Sequence, residues 1–223
     1  MKVLILVLSC DDPAYNYIRE EGIAKTWDSS ACEGTEVYYY FGNAGEASVD
    51  SNRINLTTSE DLMSIGVRTL ECFEYCLDNF DFDYIYRTNL SSYVNKERLL
   101  KFLEGMPSTS FYSAVVGHHV GVSYGSGAGY FLSRDLVEEV VSRKEELDTS
   151  ILDDVAIGKL LNKYFITPAP RVDLPCYSTT LQGFISIPEV VCDENDFHFR
   201  CKCESNRQGD VYAMKEVHKK FEG

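Results

Sequence analysis

The chain has 223 residues, 44% of them hydrophobic and 25% charged, and a formal net charge of −14. A chain of this length buries roughly 70% of its extended surface and needs no staples, which sets disorder, collagen and coiled coil aside. Its acidity argues against wrapping duplex nucleic acid or coating an anionic membrane, since both need a basic face.

The first residues, MKVLILVLSCDDP, carry an apolar run of only six, Val3 to Leu8, followed by Asp11-Asp12-Pro13. That is too short for a signal peptide, and we read Val3–Ser9 as a buried strand. Tyr15–Trp27 reads as a helix, Val37–Phe41 as a second strand, and Glu60–Cys76 as a long helix after an irregular loop. Tyr84–Arg87 is a third strand and Val94–Leu103 a helix. Strands at Tyr112–Val116 and Val120–Tyr124 would flank a turn at Gly117-His118-His119. Helices follow at Leu136–Ser142 and Asp154–Tyr164, short strands near 184–187 and 197–203, and a helix over 210–221. Alternating strand and helix predicts an α/β fold with a central, mostly parallel sheet flanked by helices. In such sheets ligands sit beyond the carboxyl ends of the strands, which points to Ser9–Asp12, Gly42–Asn43 and Thr88–Ser92.

No segment approaches the ~20 apolar residues of a membrane span, so the sequence predicts a cytoplasmic protein without membrane insertion. Eight cysteines, at 10, 32, 72, 76, 176, 192, 201 and 203, then read as reduced thiols. Asn55-Leu-Thr57 and Asn89-Leu-Ser91 are glycosylation sequons in form only. The charge is uneven. Residues 197–223 hold six Lys or Arg against four acids, a net +2, which leaves −16 over residues 1–196.

Four blocks in order resemble the β-1,3-galactosyltransferase and Fringe group of glycosyltransferases. Arg19-Glu-Glu-Gly-Ile-Ala-Lys25-Thr26-Trp27 is similar to that family's R-R-x-x-I-R-x-T-W, with Ala24 in place of its inner Arg. Asn55-Leu-Thr57 matches an N-L-T segment. Tyr124-Gly-Ser-Gly127-Ala128-Gly129-Tyr130-Phe-Leu-Ser133-Arg134-Asp135-Leu136-Val137 resembles S-G-A-G-Y-V-L-S-R-D-L-V, and Leu152-Asp153-Asp154-Val155-Ala-Ile-Gly158 resembles E/D-D-V-x-x-G. Together the blocks reach from the start to about residue 168. The small, Tyr-rich chain is also similar to the glycosyltransferase domains that large algal viruses encode.

The resemblance implies a single GT-A domain over residues 1–223, with a nucleotide-binding half (1–95) and an acceptor-side half (96–223). It implies transfer of a sugar from a nucleotide-sugar, UDP-linked by the family's habit, to a glycan or glycoprotein, with inversion. A rival reading keeps the fold and loses the chemistry: an inactive sugar- or nucleotide-binding module.

One departure bears on the cofactor. The family's K-T-D-D-D-V-F-V-N stands here as Arg87-Thr88-Asn89-Leu90-Ser91-Ser92-Tyr93-Val94-Asn95, without the carboxylates that hold Mn²⁺ or Mg²⁺. Asn89, Ser91 and a late His198 are the remaining candidates for metal ligands, all weaker than carboxylate for a hard cation. Asp81-Phe82-Asp83 has the D-x-D form, but it precedes the third strand, and from Asp83 to Asn89 an extended chain runs about 20 Å.

Inverting transfer needs a base for the acceptor hydroxyl and a counter-charge for the leaving diphosphate. Asp154 is the favoured base with Asp153 as alternate, both at the start of a helix; Asp153 reads equally well as its N-cap. Gly127, Ala128 and Gly129 clear side chains where a sugar nears the backbone, or make a tight turn before a helix capped by Ser133. His198, Arg200 and Lys202 alternate along a strand and would share one face, three cations suited to a diphosphate. Ser9, Cys10, Asp11 and Arg19 would line the nucleotide, with Arg87, Asn89 and Ser91 beside it.

Overall fold

The structure, a computed structural model, describes residues 1–170, 194–203 and 206–222. The expected strand near 184–187 lies outside the described residues. Its centre is β1 (Val3–Leu8), whose sequence VLILVL is apolar at every position. A strand of that kind needs cover on both faces. It pairs in parallel with β2 (Thr35–Phe41) on one side and β5 (Tyr84–Asn89) on the other.

Among the described residues the sheet has eight strands in the order β3-β4-β2-β1-β5-β8-β7-β9. Here β3 is Ser48–Asp50, β4 Arg53–Asn55, β7 Tyr112–His119, β8 Val122–Ser133 and β9 Ala169–Pro170. Four of its seven pairings are parallel, β1 with β2, β1 with β5, β2 with β4 and β7 with β9. The other three, β3 with β4, β5 with β8 and β7 with β8, are antiparallel.

Alternation along β1 sorts the core into two layers. Val3, Ile5 and Val7 face Ile18, Trp27 and Leu99, with Met214 and Val217 of α6 (Gln208–Lys219) beside them. Leu4 and Leu6 face α2 (Ile65–Asn79), α4 (Arg134–Ser142) and α5 (Asp153–Lys163) through Phe73, Val137 and Ile157. Each such side chain contributes about 1.5–3 kcal/mol on burial. A second, two-stranded ribbon joins β6 (Ser92–Val94) to β10 (His198–Arg200) and brings the basic segment against the end of β5.

Several elements differ from expectation for identifiable reasons. The first helix starts earlier, as α1 (Pro13–Tyr17), because Asp12 caps it through the Ala14 N–H at 2.8 Å and Pro13 takes the first turn. It then widens into a π turn at Ile18–Gly22 and tightens into a 3₁₀ turn at Ile23–Lys25. The long helix begins at Ile65, after a 3₁₀ turn at Leu62–Ser64, and not at Glu60. The Gly117-His118-His119 stretch is strand. The hairpin turns at Val120-Gly121, both at positive φ, and the ring of Tyr124 fills the space above Gly117. Strand β8 continues through Gly127-Ala128-Gly129, which sits mid-strand where the register against β7 shifts and Gly129 pairs with Thr88 of β5, and not in a turn. A helix at 96–103, α3 (Lys96–Leu103), is capped by Asn95, whose side-chain Oδ1 accepts the Arg98 N–H at 3.0 Å. Strand β10 stops at Arg200, so Lys202 lies beyond it.

No helix among the described residues is long and apolar enough to cross a membrane. Among the described residues, Cys10, Cys32, Cys72 and Cys76 are free thiols.

Candidate functional site

Two cavities adjoin at the carboxyl ends of β1 and β5. The first, about 320 Å³, is walled by Ser9 and Cys10 after β1, Glu60 and Arg68 around the start of α2, and Asn89 to Ser91 after β5. Arg200, Lys202 and Arg207 close it from the basic segment. The second, about 470 Å³, is walled by Arg87, Asn89, Ser126, Gly127 and Ala128, and by Asp153 and Asp154 at the head of α5. Leu8, Ile65, Asn89 and Arg200 line both, so Arg200 stands on the partition.

The two adjacent aspartates have different surroundings. Asp153 is 5% exposed and pairs with the Arg87 guanidinium at 2.7 Å, with the Thr69 hydroxyl at 3.2 Å. Burial pushes its carboxyl up, against the pull of Arg87. For Arg87, burial works most strongly against the charge, and the Asp153 carboxylate together with the Tyr40 and Tyr130 hydroxyls more than offsets it, so the guanidinium stays protonated. Asp154 is half-buried on the wall of the second cavity. Its Oδ2 accepts the Gly127 N–H at 2.7 Å and its Oδ1 the Val155 N–H at 2.8 Å. A carboxylate has about four lone-pair positions, so two remain for a ligand.

Gly127 has a physical reason to be bare. A Cβ there would stand 3.0 Å from Arg87 Nη1 and 3.0 Å from Asp154 Oδ2. The Gly127 carbonyl accepts from Arg87 Nη1 at 2.5 Å and from the Asn89 amide at 3.0 Å, tying β8 to β5 beneath the cavity. Gly129 lines neither cavity. Its missing Cβ makes room for the Tyr86 hydroxyl and for the His198 ring.

His198 does not reach the cavities with Arg200 and Lys202. It is 2% exposed, with Nδ1 hydrogen-bonded to the Tyr86 hydroxyl beneath Gly129. Strand alternation puts it on the Arg200 side, but two residues deeper under the sheet. Asp11 also turns away, held by Arg53 at 2.6 and 3.1 Å, and Arg19 lies over the Phe41 ring at 5.1 Å. Arg134 donates to the carbonyls of Phe80 and Leu77, and Asp135 accepts the Ser110 N–H at 2.8 Å, so this pair secures the start of α4.

The remaining metal candidates do not fit a hard divalent cation. The Asn89 side-chain Oδ1 accepts the Ser91 N–H at 3.1 Å and the Arg200 guanidinium. The Ser91 hydroxyl donates to Asp210 at 2.9 Å and accepts from Arg207 at 2.8 Å. Both oxygens thus already face a cation, and His198 lies on the far side of β8. Among the described residues no three His, Cys, Asp or Glu side chains gather in metal-binding geometry.

Asp210 anchors this wall. It is fully buried at the start of α6 and accepts the Cys203 N–H at 2.6 Å and Arg207 Nη2 at 3.1 Å. Burial pushes its carboxyl up, with those donors opposing. Burial likewise pushes the Cys10 thiol up, which keeps it neutral.

Sequence reasoning missed Arg68 and Glu60. The available signal for Arg68 was its place on the Ile65–Cys72–Cys76 stripe of α2, which turns toward the core.

No protein-family model matches the sequence, and no curated protein matches it. Among solved structures, the glycosyltransferase GlyE of Streptococcus pneumoniae TIGR4 aligns over 78% of this chain and 46% of its own, at 12% identity and a TM-score of 0.42. The chain therefore spans less than half the length of that structure.

Proposed function

We propose that the chain is an inverting glycosyltransferase that moves a sugar from a nucleoside-diphosphate sugar, a UDP-sugar by resemblance, to a hydroxyl of a glycan or glycoprotein. The observation that carries the reading is the pairing of cavities. One is rimmed by Arg68, Arg200, Lys202 and Arg207, the other by the carboxylate of Asp154, and Arg200 belongs to both. The resemblance of Asp153-Asp154 and of Tyr124–Val137 to the galactosyltransferase group supports it.

In this reading the nucleoside diphosphate fills the first cavity and the donor sugar enters the second. The acceptor hydroxyl gives its proton to Asp154, and its oxygen forms the new bond to the anomeric carbon. The bond from that carbon to the phosphate oxygen breaks on the opposite face, and the electron pair leaves on the diphosphate. Arg200 on the partition, with Lys202 and Arg207, meets that developing charge. No step passes through a metal. Asp153 orients Arg87 and the floor of the site and takes no proton.

The test is hydrolysis or transfer from UDP-sugars by the purified chain. Asp154→Asn should lower kcat by about 10²- to 10⁴-fold, the range for losing a general base, while UDP affinity stays within twofold. Uridine-nucleotide binding without turnover of any UDP-sugar would instead make the chain a binding module.

A further inference from the structure

Two arginines lie buried near the cavities, and they differ in one respect. Arg87 has Asp153 at 2.7 Å. Arg68, also 2% exposed, has no carboxylate in ion-pair contact among the described residues. Its Nη1 reaches the Ser59 carbonyl at 3.3 Å, and its Nε has no hydrogen-bond partner among the described residues. Glu60, the carboxylate lining the same cavity, turns one oxygen to the Gly42 N–H at 3.0 Å and the other to the Asp11 N–H at 2.8 Å.

A buried guanidinium without a counter-ion is costly, because it loses its hydration and gains no pair. The helix imposes the position. Arg68 shares its stripe with Cys72 and Cys76, which are fully buried, so the charge is carried inward with them. It lines the same cavity as Arg200, Lys202 and Arg207. Among the described lining residues, four cations stand against one carboxylate, the inverse of this chain's overall balance of −14.

We propose that Arg68 is a direct phosphate ligand, and that the diphosphate of a nucleoside diphosphate is the counter-ion that completes its pairing. This rests on the donor reading above and adds a residue from the α2 wall to it. The apo protein then carries an unpaired charge that a bound diphosphate relieves. Removing that charge should make the empty protein more stable and the site worse.

Arg68→Met separates this from a structural role. The apo variant should melt at or above the wild-type temperature. Titration should show UDP weakened by roughly ten- to a hundredfold, the range for losing a charge-assisted pair, with uridine affinity unchanged. Inorganic pyrophosphate should weaken in step with UDP. A variant that melts lower yet binds UDP like the wild type makes Arg68 structural and overturns the proposal. So does an equal loss for uridine and UDP, which would assign Arg68 to the nucleoside. Should Arg68→Met fail to fold, Arg68→Lys keeps the charge and loses the fork. It should weaken UDP several-fold and leave uridine alone, and unchanged UDP affinity overturns the proposal. Wild-type protein that binds UDP beside an unaffected Arg68→Met overturns this inference alone. Wild-type protein that binds no nucleoside diphosphate overturns it together with the donor reading.

Discussion

The two ends of β5 hold charge in opposite ways. At its start, Asp81 and Asp83 meet Lys2: the Lys2 ammonium donates to Asp81 at 2.5 Å and the Lys2 N–H to Asp83 at 2.7 Å. These groups are open to water, with Lys2 and Asp81 side chains 59% and 81% exposed. At its finish, Asn89 and Ser91 bring no charge of their own, and Arg200 and Arg207 close over them. One end is neutralised within the chain and solvated. The other gathers cations around a cavity of about 320 Å³. A carboxylate pair therefore marks a binding site only when the strand delivers it to the carboxyl end. The same D-x-D pattern at the other end of β5 is a surface ion pair.

The sharpest way to stress this contrast is at the buried pair beneath the site. Asp153→Asn removes the partner of a guanidinium that is 2% exposed. That should cost about 3–5 kcal/mol, since it strands a buried charge. For a chain of this size each kcal/mol moves the melting temperature by about 2–4 °C, so a fall of roughly 6–20 °C is expected in thermal unfolding. A fall below 3 °C would mean that Arg87 does not depend on Asp153. Next comes Arg200→Ala, at the mouth and not the floor. UDP affinity should drop about tenfold or more, and the loss should shrink as salt is raised from low to 0.5 M, as for a charge partly open to solvent. Its melting temperature should stay within a few degrees of wild type. Equal UDP affinity at low salt would detach the basic segment from the donor.

How much of this was legible in the sequence follows from what each element depends on. Strand β1 was legible because six consecutive apolar residues permit little else, and with it the carboxyl-end rule that led to Ser9, Cys10, Asn89 and Ser91. Helices α4 and α5 were legible from their apolar spacing. The course of β8 was not. Gly127-Ala128-Gly129 reads locally as bare backbone for a sugar or as a tight turn, whereas Gly127 and Gly129 are bare because Asp154 with Arg87, and Tyr86 with His198, press on them from neighbouring elements. That pressure is tertiary, and no local propensity reports it. His198 failed to join Arg200 for a related reason. Alternation fixes the side of a strand but not the depth, and β10 descends under β8 at its first residue. Arg68 went unnoticed because a charge on a helix is read outward by default, and only the burial of Cys72 and Cys76 on its stripe shows the helix face turned in.

The smallest effect is the most pointed test of the comparison. In Asp81→Asn/Asp83→Asn both carboxylates of the D-x-D pattern are lost, while the fold around β5 keeps its parallel pairing with β1. Solvated ion pairs are worth about 0–1 kcal/mol each, because water already serves the separated charges and ordering long side chains costs entropy. The melting temperature should therefore shift by no more than a few degrees. UDP affinity and turnover should stay within twofold, with or without added Mn²⁺, since Asp83 lies a full strand length, about 20 Å, from Asn89. A large, Mn²⁺-dependent loss of turnover in this variant would place the diphosphate at the wrong end of β5 and undo the assignment of the cationic cavity. Turnover that survives there but falls with Arg200→Ala would tie function to the end of the strand and not to the motif.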